Sequence, residues 1–334
     1  MASHIHWEKN IGRRFQLRDL QVFFSVAERC SMAKAAADLG VTQPSISAAI
    51  AGLETSLGAR LFDRTPRGVE LTPVGRALLH RARVAFDELR QGVRDIEFLK
   101  EPDVGEVRIG CPEFIAAGFL PGVIDLLSRK YPGISLIVAQ VNTPTLEFRE
   151  LDERRLDVVL ALLAVPDARR VPQDYTVEVL FEDRLCVVAG GNNPWIRRKK
   201  IDFTQLSKEP WIVGLFDTPG ASWLADMFRA QGADFPKRYV ATFSLHLRNN
   251  MAATGRFIAT MAESTFDRAA DRYHLKKLPV QIPAPAWPVA AITLRNRNLS
   301  PVVGRFLDCA RAVAKSHSKP KKSPPERLVS LYGD

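Results

Sequence analysis

The sequence predicts a mixed α/β protein: a small helical unit closed by a hairpin, one long connecting helix, and a larger domain of two α/β lobes. Three observations predict it. Two short helices with capping residues at their ends follow one another between Ser31 and Leu57. A single apolar seam at alternating spacings of four and three runs from Leu78 to Leu99. Beyond Pro102, apolar strand-like runs alternate with helix-like periods to about residue 314, the pattern of a parallel sheet covered on both faces. A chain of 334 residues is expected to hold more than one core. Its 46% hydrophobic and 25% charged content is that of an ordinary globular protein.

Residues 1–14 read as a polar extension, with a basic Arg13-Arg14 at its end. The first helix is Leu17 to Arg29, with Leu20, Phe23, Phe24 and Ala27 facing inward. Ser31 stands where an N-cap belongs, and Met32, Ala35, Ala36 and Leu39 share one face of the next helix. Gly40 ends it and Val41 continues the turn. Thr42 caps a further helix, and Pro44 occupies its first turn, where proline costs least. Ile46, Ile50, Leu53 and Leu57 form its buried stripe. The opposite stripe, Gln43, Ser47 and Ala51 with Ser45, Ala48 and Gly52 beside it, has almost no bulk and no charge. That suits a helix lying deep in a DNA major groove, so the pair reads as a helix-turn-helix. Ser31, Thr42, Gln43, Pro44, Ser45, Ser47 and Ala48 are the expected DNA contacts. Between Leu61 and Thr72, Pro66 and Gly68 mark a β-hairpin wing carrying Arg64 and Arg67, and arginine reads phosphates and narrow minor grooves. The formal net charge of +10 fits a polyanionic partner, though charge alone describes a solubilising surface equally well.

From about Val74 to Lys100 one helix is expected, with its seam at Leu78, Ala82, Ala85, Leu89, Gly92, Ile96 and Leu99. Packing against its own domain would also explain the seam. The charged outer face, Asp87 among it, favours a dimer seam with Leu78, Ala85, Leu89 and Ile96 at its centre.

These residues also carry a resemblance. Phe24, Val26-Ala27-Glu28, Ser31, Ala35-Ala36, Leu39, Gln43-Pro44-Ser45-Ile46-Ser47, Ile50, Leu53-Glu54, Leu57-Gly58 and Leu61-Phe62-x-Arg64 resemble the N-terminal domain of LysR-type transcriptional regulators. The resemblance implies a winged helix-turn-helix over 15–72, a linker helix over 73–101 that pairs with its counterpart in a second subunit, and a two-lobed effector domain over 102–314. The last is similar to periplasmic solute-binding proteins and matches by layout more than by motif. It further implies a double-stranded DNA operator, a small-molecule effector, and a homodimer or tetramer. Residues 315–334 read as a basic disordered tail.

In the second domain, strands are expected at Val107–Gly110, Ile134–Val141, Leu156–Val165 and Val177–Gly190, the last crossing to a second lobe. That lobe would use Trp211–Leu215, Arg238–Phe243 and Phe257–Thr260, with Leu275–Val280 and Trp287–Arg295 returning to the first lobe. Helices fall at Phe119–Tyr131, Thr145–Arg155, Ala221–Gln231, Leu245–Thr254 and Pro301–Ala314. Open α/β sheets bind ligands beyond the carboxyl ends of their strands. The candidate effector residues there are Glu113, Phe114, Thr143, Thr145, Asp217, Thr218, Ser222, Ser244 and Arg256. Thr143 best fits a hydroxyl that holds an effector, as the resemblance implies, and each helix-opening hydroxyl serves equally as a plain N-cap. Glu113 departs from the small hydroxyl residue of that family. A carboxylate there makes a dicarboxylate effector less comfortable and a polyol, sugar or amine easier to seat.

No G-x-S-x-G, P-loop, G-x-G-x-x-G or H-E-x-x-H is present, and no catalytic residue, cofactor or metal set is expected. The four cysteines, Cys30, Cys111, Cys186 and Cys309, are far apart and read as reduced thiols, Cys111 as a small buried hydrophobe sooner than a redox centre. No signal-like or membrane-length apolar run occurs, so a cytoplasmic protein without a membrane partner is expected. An architectural DNA binder without effector sensing is the alternative. A solute-binding or enzymatic protein with an incidental basic N-terminus is disfavoured by the lack of a signal segment and of a catalytic set.

Overall fold

The computed structural model describes residues 15–66, 68–141, 147–163, 172–215, 219–280 and 286–317. The predicted extension over 1–14, residues 318–334 of the tail, and the candidate residues Arg67, Thr143, Thr145, Asp217 and Thr218 lie outside them. The chain forms two compact units, one running to Val93 and the other beginning at Arg94, so the division falls inside the long helix.

The first unit contains α1 (Leu17–Arg29), α2 (Met32–Leu39), α3 (Gln43–Leu57), β1 (Phe62–Thr65), β2 (Gly68–Leu71) and most of α4 (Pro73–Lys100). Local chemistry sets the ends. The Ser31 hydroxyl accepts from the Lys34 N–H at 3.3 Å, and that of Thr42 from the Ser45 N–H at 3.4 Å. Gly40 and Gly58 close α2 and α3 at φ 65°, a left-handed turn that glycine enters without a Cβ penalty. Phe23, Val26, Ala35, Ile46, Ile50, Leu53 and Leu61 fill the core. The expected inward face of α1 packs on the core, and it is wider than the spacing indicates. Phe24 and Ala27 are half-buried, whereas Val22 and Val26 are buried with Leu20 and Phe23. Because α1 packs on both α2 and α3, the covered stripe extends beyond the one the spacing picks out.

The second unit is built on a sheet in the order β4-β3-β5-β11-β6-β9-β7-β8, with β10 also on β6. Its strands are β3 (Val104–Cys111), β4 (Gly133–Gln140), β5 (Val158–Leu162), β6 (Tyr175–Gly190), β7 (Trp211–Val213), β8 (Tyr239–Ala241), β9 (Ile258–Ala262), β10 (Leu275–Lys277) and β11 (Ala286–Leu294). The helices are α5 (Glu113–Ala117), α6 (Leu120–Lys130), α7 (Arg149–Asp152), α8 (Pro219–Ala230), α9 (Leu245–Ala253), α10 (Glu263–Ala269) and α11 (Pro301–His317). The 16-residue β6 makes two lobes of one sheet. Tyr175 to Arg184 pair with β11 in lobe I, and Leu185 to Ala189 pair with β9 in lobe II. Within each lobe, side chains alternate between two cores. Val158 and Leu160 enter one, Val159 and Ala161 the other; Val187 and Ala189 enter one in lobe II, Val188 the other.

Three expectations for this unit are corrected. The run Ile134–Val141 reads as a strand buried on both faces, but β4 is the edge of the sheet, and Ile137 and Val138 are 46% and 42% exposed. With β3 as its sole neighbour, the strand lacks the flanking cover a central strand receives. Leu275–Val280 does not return to lobe I; β10 pairs with Val188, Ala189 and Gly190 of β6 in lobe II. The helix expected from Thr145 to Arg155 is, among described residues, the single turn α7.

A buried carboxylate ties the start of this unit together. Asp157 accepts from Arg94 Nη1 at 3.3 Å, Arg108 N–H at 2.9 Å and Arg297 Nη2 at 2.9 Å. Nearby, the Arg305 guanidinium lies over the Phe98 and Tyr131 rings at 5.0 and 4.4 Å and pairs with Asp103. The last turns of α4 are thus anchored to lobe I through two arginines.

Candidate nucleic-acid interface and ligand cleft

The outward side of α3 is set by its buried side. Ile46, Ile50 and Leu53 are buried, which turns Gln43, Pro44, Ala48, Ala51 and Gly52 to solvent. A Cβ on Gly52 would meet nothing within 4 Å, so its absence leaves room only on the outer face. Thr42 and Ser45 join through their hydroxyls at 2.9 Å, and Ser31 is engaged as the α2 cap. Ser47 departs from its expected outward role. Its hydroxyl donates to the Met32 sulfur of α2 at 3.3 Å, partly buried, so it fastens the two helices together. Arg64 is exposed on β1.

The wing is held by groups that no spacing rule marks. Glu54 Oε1 accepts from the N–H groups of Leu61 and Phe62 at 2.7 and 3.2 Å. The Cys30 carbonyl accepts from the Val69 N–H at 3.2 Å, and a Cβ on Gly68 would come within 2.4 Å of the same oxygen. Glycine is required there twice over, since its φ is 134°.

In the second unit, the carboxyl ends of β3, β7 and β8 lead into Glu113, Ser222 and Ser244 respectively. Glu113 reaches from lobe I to lobe II, where its Oε2 accepts from the Leu245 N–H at 3.1 Å. Phe114 packs on the lobe I core, and its carbonyl accepts from Thr265 Oγ1 at 3.1 Å. Ser244 caps α9 by accepting from the Leu247 N–H at 3.2 Å, and Ser222 is exposed on α8. Arg256 is corrected. It follows the C-terminal end of α9 and precedes β9, so it stands at the amino edge of the sheet, opposite the edge that forms the cleft. The loop before it is held by the Asn193 side chain, which donates to the Gly255 carbonyl at 2.8 Å.

The crossing between lobes carries a second buried carboxylate. Asp183 on β6 accepts from Ser264 Oγ at 2.6 Å and Ser264 N–H at 3.2 Å. Burial pushes its pKa up and these hydrogen bonds pull it back. Burial also pushes the thiols of Cys111 and Cys186 up, to about 11 and about 12, which leaves little reactive thiolate. Among the described residues no three His, Cys, Asp or Glu side chains gather as a metal site, and no helix is long and apolar enough to cross a membrane.

Two family models match this layout: the bacterial regulatory helix-turn-helix protein of the lysR family over residues 17–76, and the LysR substrate binding domain over residues 100–315. The chain belongs to the LysR family of transcriptional regulators. Such regulators join a DNA-binding helix-turn-helix to an effector-binding domain. The chain is 27% identical over 302 residues to the transcriptional dual regulator GltC of Bacillus subtilis, covering 88% of this chain and 95% of GltC. It is 31% identical over 212 residues to the HTH-type regulator YnfL of Escherichia coli, covering 60% of this chain and 69% of YnfL. Among solved structures, the LysR-family regulator CbnR in complex with its target DNA superposes with a TM-score of 0.60 at 19% identity, covering 90% of this chain and all of that one.

On this LysR chain the α4 seam divides in two. Leu78 packs on the core of the first unit and so serves that unit, and Ala82 is buried. Ala85, Leu89 and Ile96 are exposed, Leu89 at 50%, and Val93 and Leu99 extend the same strip. Gly92, expected in the seam, is exposed as well. Asp87 is not on the charged outer face: it and Gln91, one turn on, are buried.

Proposed function

We propose that this chain is a cytoplasmic, homo-oligomeric LysR-type regulator without catalytic activity. In this reading it binds an operator of two half-sites and answers to a small molecule held between its lobes. The observation that carries the reading is the outer face of α3: Gln43 at its start, then Ala48, Ala51 and Gly52, with no bulk or charge to keep it out of a major groove. The division of labour follows the boundaries expected from sequence, with residues 15–72 reading DNA, 73–101 pairing subunits and 102–314 binding the effector.

With Ser47 turned to Met32, Gln43 is the main direct reader. A bidentate glutamine–adenine contact is worth about 1–3 kcal/mol of discrimination. Arg64 and Arg67 supply phosphate attraction. Gln43→Ala is expected to relax base preference at one position per half-site with the salt dependence intact. Arg64→Ala is expected to weaken all sequences alike and flatten the log–log salt slope by about 0.9 for each phosphate left without its cation. Binding isotherms on operator variants at several salt concentrations test both. A preference that survives Gln43→Ala and vanishes with Arg64→Ala would transfer base reading to the wing.

Effector sensing separates this reading from a constitutive DNA binder. A ligand at about 100 times its Kd should stabilise the chain by roughly 2.7 kcal/mol. Thr143→Val is expected to weaken that response and leave basal DNA affinity alone. A metabolite screen by thermal shift, repeated on the variant, checks it; loss of DNA binding with ligand stabilisation retained would remove Thr143 from the site.

A further inference from the structure

The charge of the ligand follows from one side chain, granted the proposed reading that a ligand sits between the lobes. Glu113 Oε2 accepts from the N–H of Leu245, the first residue of the nine-residue α9. Its carboxylate therefore occupies the place where a helix N-terminus attracts an anion. Ser244 caps the same helix through a different donor, the Leu247 N–H, so the two oxygens share the free amides. One turn along, Arg248 adds a full positive charge. Its Nη1 donates to the Thr260 carbonyl at 3.1 Å and its Nη2 to the Thr242 carbonyl at 3.2 Å. Its Nε is sealed from water and has no hydrogen-bond partner among the described residues. Both acceptors are neutral, and the carboxylate whose charge bears on this guanidinium is that of Glu113: burial draws the arginine pKa down and Glu113 opposes it.

A helix start beside a half-buried guanidinium is a receptor for an acid, and here the chain supplies the acid from the opposite lobe. We propose that Glu113 is the resident occupant of an anion subsite and sets the charge preference of the cleft, which takes a ligand offering an ammonium or hydroxyl donor to this carboxylate and refuses a ligand carboxylate. A second carboxylate at the same donors would meet like charge at close range.

The test is the melting temperature of the full chain and of Glu113→Ala, in sodium acetate and in ethanolamine hydrochloride, against sodium chloride at equal ionic strength. The expected result is a reversal of preference. Ethanolammonium and not acetate stabilises the unmodified chain. Acetate and not ethanolammonium stabilises Glu113→Ala, saturably and by about 2–4 °C, the shift that roughly a fivefold change in the folding equilibrium gives a domain of this size. Adding Arg248→Met to Glu113→Ala should abolish the acetate response. Glu113→Ser serves the same comparison if the alanine variant does not fold. Acetate stabilising both proteins alike, or failing to stabilise the vacated variant, would overturn the assignment. Neither measurement uses DNA or an effector, so a failure of effector sensing would leave this result standing, and the reverse holds too.

Discussion

Asp157→Ala is expected to cost the fold about 3–5 kcal/mol, the loss that follows when a buried guanidinium is deprived of its carboxylate. Asp157 and Arg297 are both buried, 2.9 Å apart, and the same carboxylate accepts from Arg94 and from the Arg108 N–H. The arginines approach from α4 and from the segment before α11, so the substitution loosens two chain segments at once. Urea unfolding would read it as a fall in midpoint at unchanged slope. Pairing Asp157→Leu with Arg297→Met removes both charges together and should restore much of the loss, because the main penalty is the unpaired charge. A loss below about 1 kcal/mol for Asp157→Ala would place the pair among solvent-screened bridges and refute its buried role.

Leu89→Lys is expected to break the subunit pairing proposed for α4. Leu89, Val93, Ile96 and Leu99 form an apolar strip that the single chain leaves exposed, Leu99 at 80%. An ammonium buried in that strip without a partner costs several kcal/mol, enough to shift association by orders of magnitude. Sedimentation should show monomer at micromolar concentration, and affinity for a two-half-site operator should collapse while a single half-site binds as before. Leu78→Ala provides the contrast. Leu78 packs on the first unit's own core, so its loss should lower stability and leave association untouched. An unchanged sedimentation coefficient for Leu89→Lys would reject the strip as the seam.

What was legible in the sequence was local. The helix-turn-helix declared itself because caps, a first-turn proline and left-handed glycines act within a few residues of where they are written: Ser31, Thr42, Pro44, Gly40 and Gly58. The long helix and the alternation of lobes followed from apolar periods, which report burial along one element. Periodicity does not report what lies on the other side of that element. It gave the same weight to Leu78, which serves its own unit, and to Leu89, which is exposed. It read Ile137 and Val138 as buried in a strand that the topology leaves at the sheet edge.

The cleft shows the same limit. Residues after strand ends could be named in advance, because the carboxyl edge of a sheet is fixed by chain direction. Arg256 precedes β9 and so lies at the opposite edge, a distinction that needs the strand's start, which apolar periodicity does not mark. Nothing in the neighbourhood of Glu113 foretells Leu245, 132 positions away, or that Arg248 three residues on would be held by two backbone carbonyls. The first of these bonds exists because β6 crosses between lobes and brings Glu113 up to lobe II, and those of Arg248 because β9 and the end of β8 lie beside α9; hydrogen bonds and charges act over a few ångströms of space whatever their distance in sequence. The sequence alone therefore determined the motif, the family, the order of the elements and the presence of a carboxylate after β3; which side chains meet between the lobes, and that this carboxylate sits on the first amide of α9, only the tertiary structure decided.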